Sequence, residues 1–414
     1  MSYLNIEEVE SALVGLSTAY PEITELIELP YRTYEGRVTH ALRIGPDSVH
    51  DGVLFTACAH AREWGGAEIC VYLAADLLEA YTTRTGLTYG GTSFSPTTVR
   101  MIVANLSVFV LPCVNPDGRK YDQENDALWR KNRNPADSGG NPKRIGVDLN
   151  RNQRWLWDFR RAFAPAALNS GTLASDDPGN DLYHGSAPGS EPEGHNIRWM
   201  LDTYRFIGHY IDIHSYTGDL LYPWGDDRDQ SDDPGMNFTN PAYDGQRGVG
   251  VYGEYIPQAD LTEFQGLAAR VVGAMNGVRG QQYVAKQSAY LWGGSGNSVS
   301  YPTSGAVDDY AYGRHFVSRV DRKVLAFTLE FGFIQDDARL SFHPLWPQMQ
   351  QIVTDVDAGL VEFCAAVARR IPPWIIAWRR LFPWEIYGPL AKIVAPLVEG
   401  VVGIVVSGVR SARG

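Results

Sequence analysis

The stretch GVLFTACAHAREWGGAEIC (Gly52–Cys70) changes character halfway along. Gly52 to Ala59 is an apolar run interrupted only by Thr56, short enough for a strand buried on both faces. His60, Arg62 and Glu63 then arrive within four residues, before Gly65 and Gly66. From Gly65 to Tyr81 the apolar residues recur at helical spacing. Strand, polar turn and helix follow one another, and the polar turn falls where open α/β sheets bind ligands, beyond the carboxyl end of a strand.

Working outward, the same alternation repeats. Tyr34–Gly45, Val108–Gly118 (ending in a Pro-Asp-Gly turn), Ile207–Tyr216 and Val324–Gly332 read as further strands. Ile6–Tyr20, Leu267–Val278 and Met349–Ala368 read as helices. Strands alternating with helices imply an α/β fold with a mixed sheet covered on both faces. Residues Gly225–Val249, rich in Asp, Gly, Pro and Asn, read as a long surface loop. A chain of 414 residues suits one large α/β domain or two smaller ones.

Composition excludes some classes of function. A net charge of −12 argues against nucleic acid as a partner. Four cysteines, Cys58, Cys70, Cys113 and Cys364, are too few for a disulfide scaffold, and three sit in apolar runs where a thiol acts as a small hydrophobe. The N-terminal residues lack a basic start and a long apolar segment, so no signal peptide is expected. No apolar run is long enough to span a bilayer, and a cytoplasmic location is the expectation.

The polar residues fall in a pattern. His60 and Glu63 follow one buried strand, His214 closes a second and Glu330 stands near the end of a third. Two imidazoles and a carboxylate fill three of zinc's four tetrahedral positions and leave one open. A second carboxylate nearby suits a general base. Singly, each residue has a plainer explanation. A histidine at a strand end is more often a hydrogen-bonded surface or core residue, His-x-x-Glu recurs by chance, and Glu330 alone could cap a turn.

Their flanking residues decide the matter. HAREW (His60–Trp64), VNPDG (Val114–Gly118), WRKNR (Trp129–Arg133), GVDLNRN (Gly146–Asn152), IDIHSYTGDLLYPWG (Ile211–Gly225), SYPTSGAVDDYAY (Ser300–Tyr312) and FTLEFG (Phe327–Gly332) together resemble the zinc metallocarboxypeptidase family, in its pancreatic carboxypeptidase A/B branch. The resemblance runs from Tyr3 to Val367. It implies a single large catalytic domain, a mixed, mostly parallel twisted sheet with helices on both faces, and hydrolysis of the C-terminal peptide bond of peptides and proteins. It implies one zinc ion held by His60, Glu63 and His214, with Glu330 as catalytic base and Arg133 polarising the scissile carbonyl. Asn150 and Arg151 would grip the substrate's terminal carboxylate, and Tyr301 would be the mobile tyrosine that closes over it. Only a chain end carries a free carboxylate, and a planar guanidinium beside an amide donor holds one well. Arg62 and Tyr216 would line the path for upstream substrate residues, or else form a surface ion pair and a packing tyrosine. The spacings on either side of His214 exceed those of the pancreatic enzymes, which implies loop insertions that reshape the rim. No inhibitory pro-segment is expected.

The pocket for the C-terminal side chain would end at Asp308, where B-type enzymes carry Asp and A-type enzymes an apolar residue. Asp309 beside it matches an acidic position common to both types and reads as structural. Gly225 and Gly296 map to two further pocket positions and would leave it deep. The expected preference is therefore C-terminal Lys or Arg, alone or alongside apolar residues. A cell-wall peptide amidase of the same fold and a non-catalytic binding module are the competing readings.

Residues 371–414 stand outside the resemblance and are separated from the catalytic domain of residues 1–370. This extension is basic on an acidic protein and carries Trp374, Trp378 and Trp384 among aliphatics. Such a composition suits contact with a membrane surface or a protein groove, or else packing on the chain's own domain. Glu399, Pro383, Pro389 and Pro396 argue against a transmembrane span.

Overall fold

The sheet can be followed from the apolar runs, which supply strands able to lie between two layers of helices. The structure is a computed structural model that describes residues 3–45, 51–289 and 301–371. Gly296 and the C-terminal extension from residue 372 lie outside the described residues. The strands are β1 (Thr24–Glu28), β2 (His40–Ile44), β3 (Gly52–Ala57), β4 (Leu87–Tyr89), β5 (Thr92–Phe94), β6 (Ser107–Leu111), β7 (Ile207–Ser215), β8 (Asp219–Tyr222), β9 (Asp229–Ser231), β10 (Gly253–Tyr255), β11 (Val284–Gln287) and β12 (Leu325–Phe331). Eight of them form one sheet in the order β1-β2-β6-β3-β7-β12-β8-β11. The four central strands, β6, β3, β7 and β12, are parallel. β2 joins β6 antiparallel, and β8 joins β12 antiparallel. Every residue of β3, β6 and β7 is buried, as runs without polar alternation require.

Side chains alternate between the two faces of a strand, and the register shows what each face does. Thr56, Asp212 and Thr328 are partners across β3, β7 and β12 and share one face. Thr56 Oγ1 donates to Asp212 Oδ1 at 2.5 Å, and Asp308, on helix Val307–Val317, lies against this face. On the opposite face Phe55, His209 and Phe327 meet Phe363 of helix Trp346–Ala368. That helix packs with Gly66–Thr83 and Gln258–Arg279. One face is thus given to apolar packing and the other to buried polar groups.

Several expectations are corrected. The Tyr34–Gly45 segment forms a strand only over His40–Ile44. The strand expected over Val108–Gly118 ends at Leu111, and its Pro-Asp-Gly sequence starts helix Pro116–Asn125 rather than a turn. Asn115 caps that helix by accepting the Gly118 N–H at 2.9 Å, and Pro116 sits in the first turn, where no donor is needed. The Gly225–Val249 segment is not simply a surface loop, for Asp226, Asp227 and Arg247 are buried. Asp227 Oδ2 accepts the Gly248 N–H at 2.7 Å and closes the segment on itself. Strands β1, β8 and β11 carry too short an apolar signal to be expected. All four cysteines are free and buried, and no described helix is long and apolar enough to cross a membrane.

Parallel strands end at a common edge. His214 of β7 stands directly beside Glu330 of β12, and the turn after β3 carries His60 and Glu63 to the same edge. Gly305 shows how tightly the neighbouring segments close. It has φ +69°, and a Cβ there would lie 2.1 Å from the Arg151 carbonyl oxygen. Gly305→Ala therefore combines left-handed backbone strain with displacement of Arg151. We expect a loss of about 1–3 kcal/mol from strain alone, read as a lower urea midpoint.

Candidate active site

The turn from His60 to Glu63 follows β3 without a break, and its geometry is set by groups behind it. His60 Nδ1 lies 2.7 Å from Glu63 Oε1, and His214 Nδ1 lies 2.8 Å from Glu63 Oε2 and 3.1 Å from His60 Nδ1. Ligand atoms of the three residues all lie within 4.8 Å of one another, and all three residues are buried. Each imidazole turns its other nitrogen to a buried carboxylate: His60 Nε2 is 3.1 Å from Asp148 Oδ1, and His214 Nε2 is 2.7 Å from Asp212 Oδ2. Those carboxylates fix ring orientation and leave Nδ1 as the ligating atom. Burial works against charge on Glu63, but His60 and His214 outweigh it and hold the carboxyl far below its usual range. Burial likewise opposes charge on His214, yet Asp212 and Glu63 push its pKa well up. Two imidazoles and one carboxylate, oriented from behind, fit zinc.

Asp148 does more than hold His60. Its Oδ2 accepts from Arg130 Nε at 2.9 Å, and its Oδ1 accepts the Asn150 N–H at 2.9 Å. Asp148 is itself buried, which opposes its charge, but Arg130 and His60 keep its carboxyl well below the ordinary range. Arg130 Nη1 comes within 3.9 Å of Glu63 Oε1 and lines the cleft. Asn150 Oδ1 accepts the Val307 N–H at 2.8 Å, and Arg151 Nη1 donates to the Asn150 carbonyl at 2.8 Å.

The cleft itself holds about 210 Å³. Of the residues expected at the site, His60, Arg62, Glu63, Asn150, Arg151, Tyr216, Tyr301, Asp308 and Glu330 line it, and His214 joins the metal-ligand group. Glu330 opens partly to the cleft. Burial, reinforced by the Glu63 charge, pushes its carboxyl up to about 8, and the charge of a zinc ion held by His60, Glu63 and His214 would oppose that shift and favour the carboxylate a base needs. Arg62 Nη1 donates to Asp181 Oδ2 at 2.9 Å while its guanidinium lies 4.7 Å over Phe342. The Tyr216 ring meets Phe342 edge-on at 4.6 Å. Arg62 and Tyr216 are thus both in the cleft wall and in an ion pair or a packing contact.

Arg133 is the chief correction. Its guanidinium stacks over Tyr121 at 3.7 Å and Trp129 at 4.8 Å, away from the cleft. Along WRKNR the side chains of Trp129, Lys131 and Arg133 gather on one side, while Arg130 turns inward to Asp148. An odd-numbered separation therefore sends the two arginines to opposite sides, and Arg130 takes the place expected of Arg133. The Ala61 N–H donates to the Arg130 carbonyl at 3.0 Å, which seats Arg130 beside the metal-ligand turn. Gly225 is corrected too. It is not in the cleft lining, and a Cβ there would lie 2.6 Å from Thr303 Oγ1 and 2.8 Å from Asp309 Oδ2. Its smallness closes the wall rather than deepening a pocket. Asp309 accepts the Gly225 N–H at 3.0 Å and is structural, as expected. Arg130, Phe342, Leu221, Ser288, Ala306 and Thr328 line the cleft without having been singled out in the sequence. Arg130, Leu221, Ala306 and Thr328 lie inside the quoted motifs, but of these only Arg130 carries a charged group that could mark a site.

The zinc carboxypeptidase family model matches residues 9–358. The chain belongs to the zinc carboxypeptidase family. It is 28% identical over 335 residues to a carboxypeptidase B of Astacus astacus, covering 80% of this chain and 89% of that protein. It is also 28% identical to mouse (Mus musculus) carboxypeptidase A4 over 228 residues, 54% of this chain and 47% of that one. The fold is similar to the crystal structure of thrombin-activatable fibrinolysis inhibitor, with a TM-score of 0.66 and 20% identity, over 89% of this chain and 75% of that one. The chain is a metallocarboxypeptidase whose single zinc ion fits the His60, Glu63 and His214 group. Because Asp212 orients His214 and turns its Nδ1 toward Glu63 and His60, Asp212→Asn should weaken zinc binding by about 10–100-fold. Competition against a chromophoric chelator measures this, and an unchanged affinity would remove Asp212 from that role.

Proposed function

We propose that this carboxypeptidase releases C-terminal lysine or arginine from peptides and proteins. The observation that carries this reading is Asp308. Its carboxylate is buried in the cleft wall, accepts the Asp309 N–H at 2.9 Å, and has no cationic side chain paired with it among the described residues. It stands in the first turn of helix Val307–Val317, where the helix dipole favours a negative charge. Leu221, Ala306 and Thr328 line the same cleft and suit the methylene stem of a long basic side chain. Such a side chain restores the pairing that burial denies Asp308.

In this reading the remaining groups divide the labour. Asn150, its Oδ1 tied to Val307, has its amide donors left for the substrate's terminal carboxylate, and the Arg151 guanidinium completes the grip. Arg130, fixed through Nε by Asp148, presents its other nitrogens to the oxyanion that develops at the scissile carbonyl. Zinc, when held by His60, Glu63 and His214, supplies a Lewis acid that polarises the carbonyl and acidifies water. Glu330 takes a proton from the attacking water and delivers it to the leaving amine. Tyr301, at the cleft wall, shields the bound chain end from solvent.

Peptides ending in Arg, Lys, Leu, Phe and Glu test the assignment. The wild type should favour Arg and Lys, and Asp308→Ala should lower the Arg-to-Leu ratio of kcat/KM by about 30-fold or more, equivalent to about 2 kcal/mol. A wild type that prefers Phe and Leu, or an unchanged ratio in the variant, refutes the reading. Glu330→Gln should keep its zinc and lose about 10²–10⁴-fold in kcat, and near-normal turnover would exclude Glu330 as the base.

Acidity gives a further check. Burial raises the Asp308 carboxyl above the ordinary range. As pH falls through that raised value the group gains a proton and the cation loses its partner, while Lys and Arg stay charged. The Arg-to-Leu ratio should therefore decline as pH is lowered, and at a higher pH than an ordinary carboxyl would require. Other ionisations cancel in the ratio, so a flat or rising ratio contradicts the role of Asp308.

A further inference from the structure

Trp64, directly after the metal ligand Glu63, is held on three sides. Its Nε1 donates to Asp122 Oδ2 at 3.0 Å, its ring stacks on His343 at 3.8 Å, and Tyr3 meets it edge-on at 5.4 Å. Asp122 is fully buried on helix Pro116–Asn125, and its second oxygen, Oδ1, accepts the Trp129 N–H at 2.5 Å. Trp129 precedes Arg130. His343 Nε2 lies 3.4 Å from Asp122 Oδ2, and His343 follows Phe342 of the cleft wall. One carboxylate therefore touches the immediate neighbours of Glu63, Arg130 and Phe342.

We propose that Asp122 is a positioning residue that sets the placement of the Glu63 turn relative to the Arg130 segment. The turn has few bonds of its own: the Glu63 N–H donates to the His60 carbonyl at 3.2 Å and the Trp64 N–H to the Arg62 carbonyl at 3.1 Å. Across to the Arg130 segment it has the Ala61 N–H on the Arg130 carbonyl and Arg62 Nη1 on the Leu128 carbonyl at 3.3 Å, and Asp122 ties the same two segments through both of its oxygens. An ionised carboxylate suits this task because it is acceptor-only and can take an N–H on each oxygen. An amide of the same shape offers one acceptor and must turn donors toward the other N–H. The groups that bind the chain end, Asn150, Arg151 and Asp308, hang on other segments. Losing Asp122 should thus disturb the metal site and the transition state and spare ground-state binding.

The inference uses Arg130 in its proposed role, so zinc affinity, which does not depend on that role, is measured alongside kinetics. In Asp122→Asn, zinc affinity by chelator competition and kcat should each fall by about tenfold, at the low end of what outer-shell groups cost, with KM within twofold of wild type. Replacing Trp64 with 3-benzothienylalanine keeps the fused ring and removes only the N–H donor, and should show a smaller loss of zinc affinity in the same direction. The double variant should lose less than the product of the two single losses, since both act through the same side chain at position 122. Unchanged zinc affinity in Asp122→Asn overturns the proposal, as do losses that multiply in the double variant. If zinc affinity falls while kcat of the zinc-loaded enzyme is normal, Asp122 positions the ligand turn but the role given to Arg130 fails. Should Asp122→Asn not fold, the benzothienylalanine variant decides alone: reduced zinc affinity upholds the proposal and wild-type affinity overturns it.

Discussion

The Asp148 carboxylate is the constraint on which the site depends. It orients His60, fixes Arg130 and receives the backbone N–H of Asn150. His60 of the metal-ligand group, Arg130 and Asn150 are thereby referred to one buried charge. Such a charge is costly to bury, and two flanking cationic or ionisable partners offset that cost. Any shift of Asp148 would be felt at all three residues, which is why three separate segments can act as one site.

Asp212 and Asp148 give the two histidines equivalent surroundings, although one histidine lies in a turn and the other on a strand. The strand geometry explains how. Asp212 and His214 are two residues apart on β7, so their side chains share a face, and the polar partners Thr56 and Thr328 lie beside Asp212 on the neighbouring strands. The other face, where Phe55, His209 and Phe327 meet Phe363, is mainly apolar and holds the sheet to its helices. Polar chemistry on one face is tolerated because apolar packing on the other supplies the stability.

Asp308 and Asp309 show how neighbouring identical residues are given different work. Asp309 spends its carboxylate on the Gly225 N–H and closes the wall. Asp308 accepts the Asp309 N–H and remains in the cleft. The difference lies in which side of the first helical turn each side chain leaves. The preference we propose at Asp308 follows from that placement.

The sequence by itself determined the central strands, the principal helices and the metal ligands, because buried runs and residues such as His60 and Glu63 are local signals. It also identified Asp309 as structural. It chose Arg133 in WRKNR where the structure turns Arg130 into the cleft, since the choice between them turns on which side of an irregular segment faces inward, and Asp148 decides that from eighteen positions further along. It read Pro116-Asp117-Gly118 as a turn because the capping by Asn115 that makes it a helix start has the same local composition. It treated Gly225 as a pocket position, whereas Thr303 and Asp309 fill the space where a side chain would stand. Asp122, Asp148 and Asp212 drew no notice in the chain, because a carboxylate that holds other groups in place has no motif of its own. Residue type and spacing specify which atoms can do chemistry; the direction each side chain takes, and what stands behind it, is settled only by long-range packing.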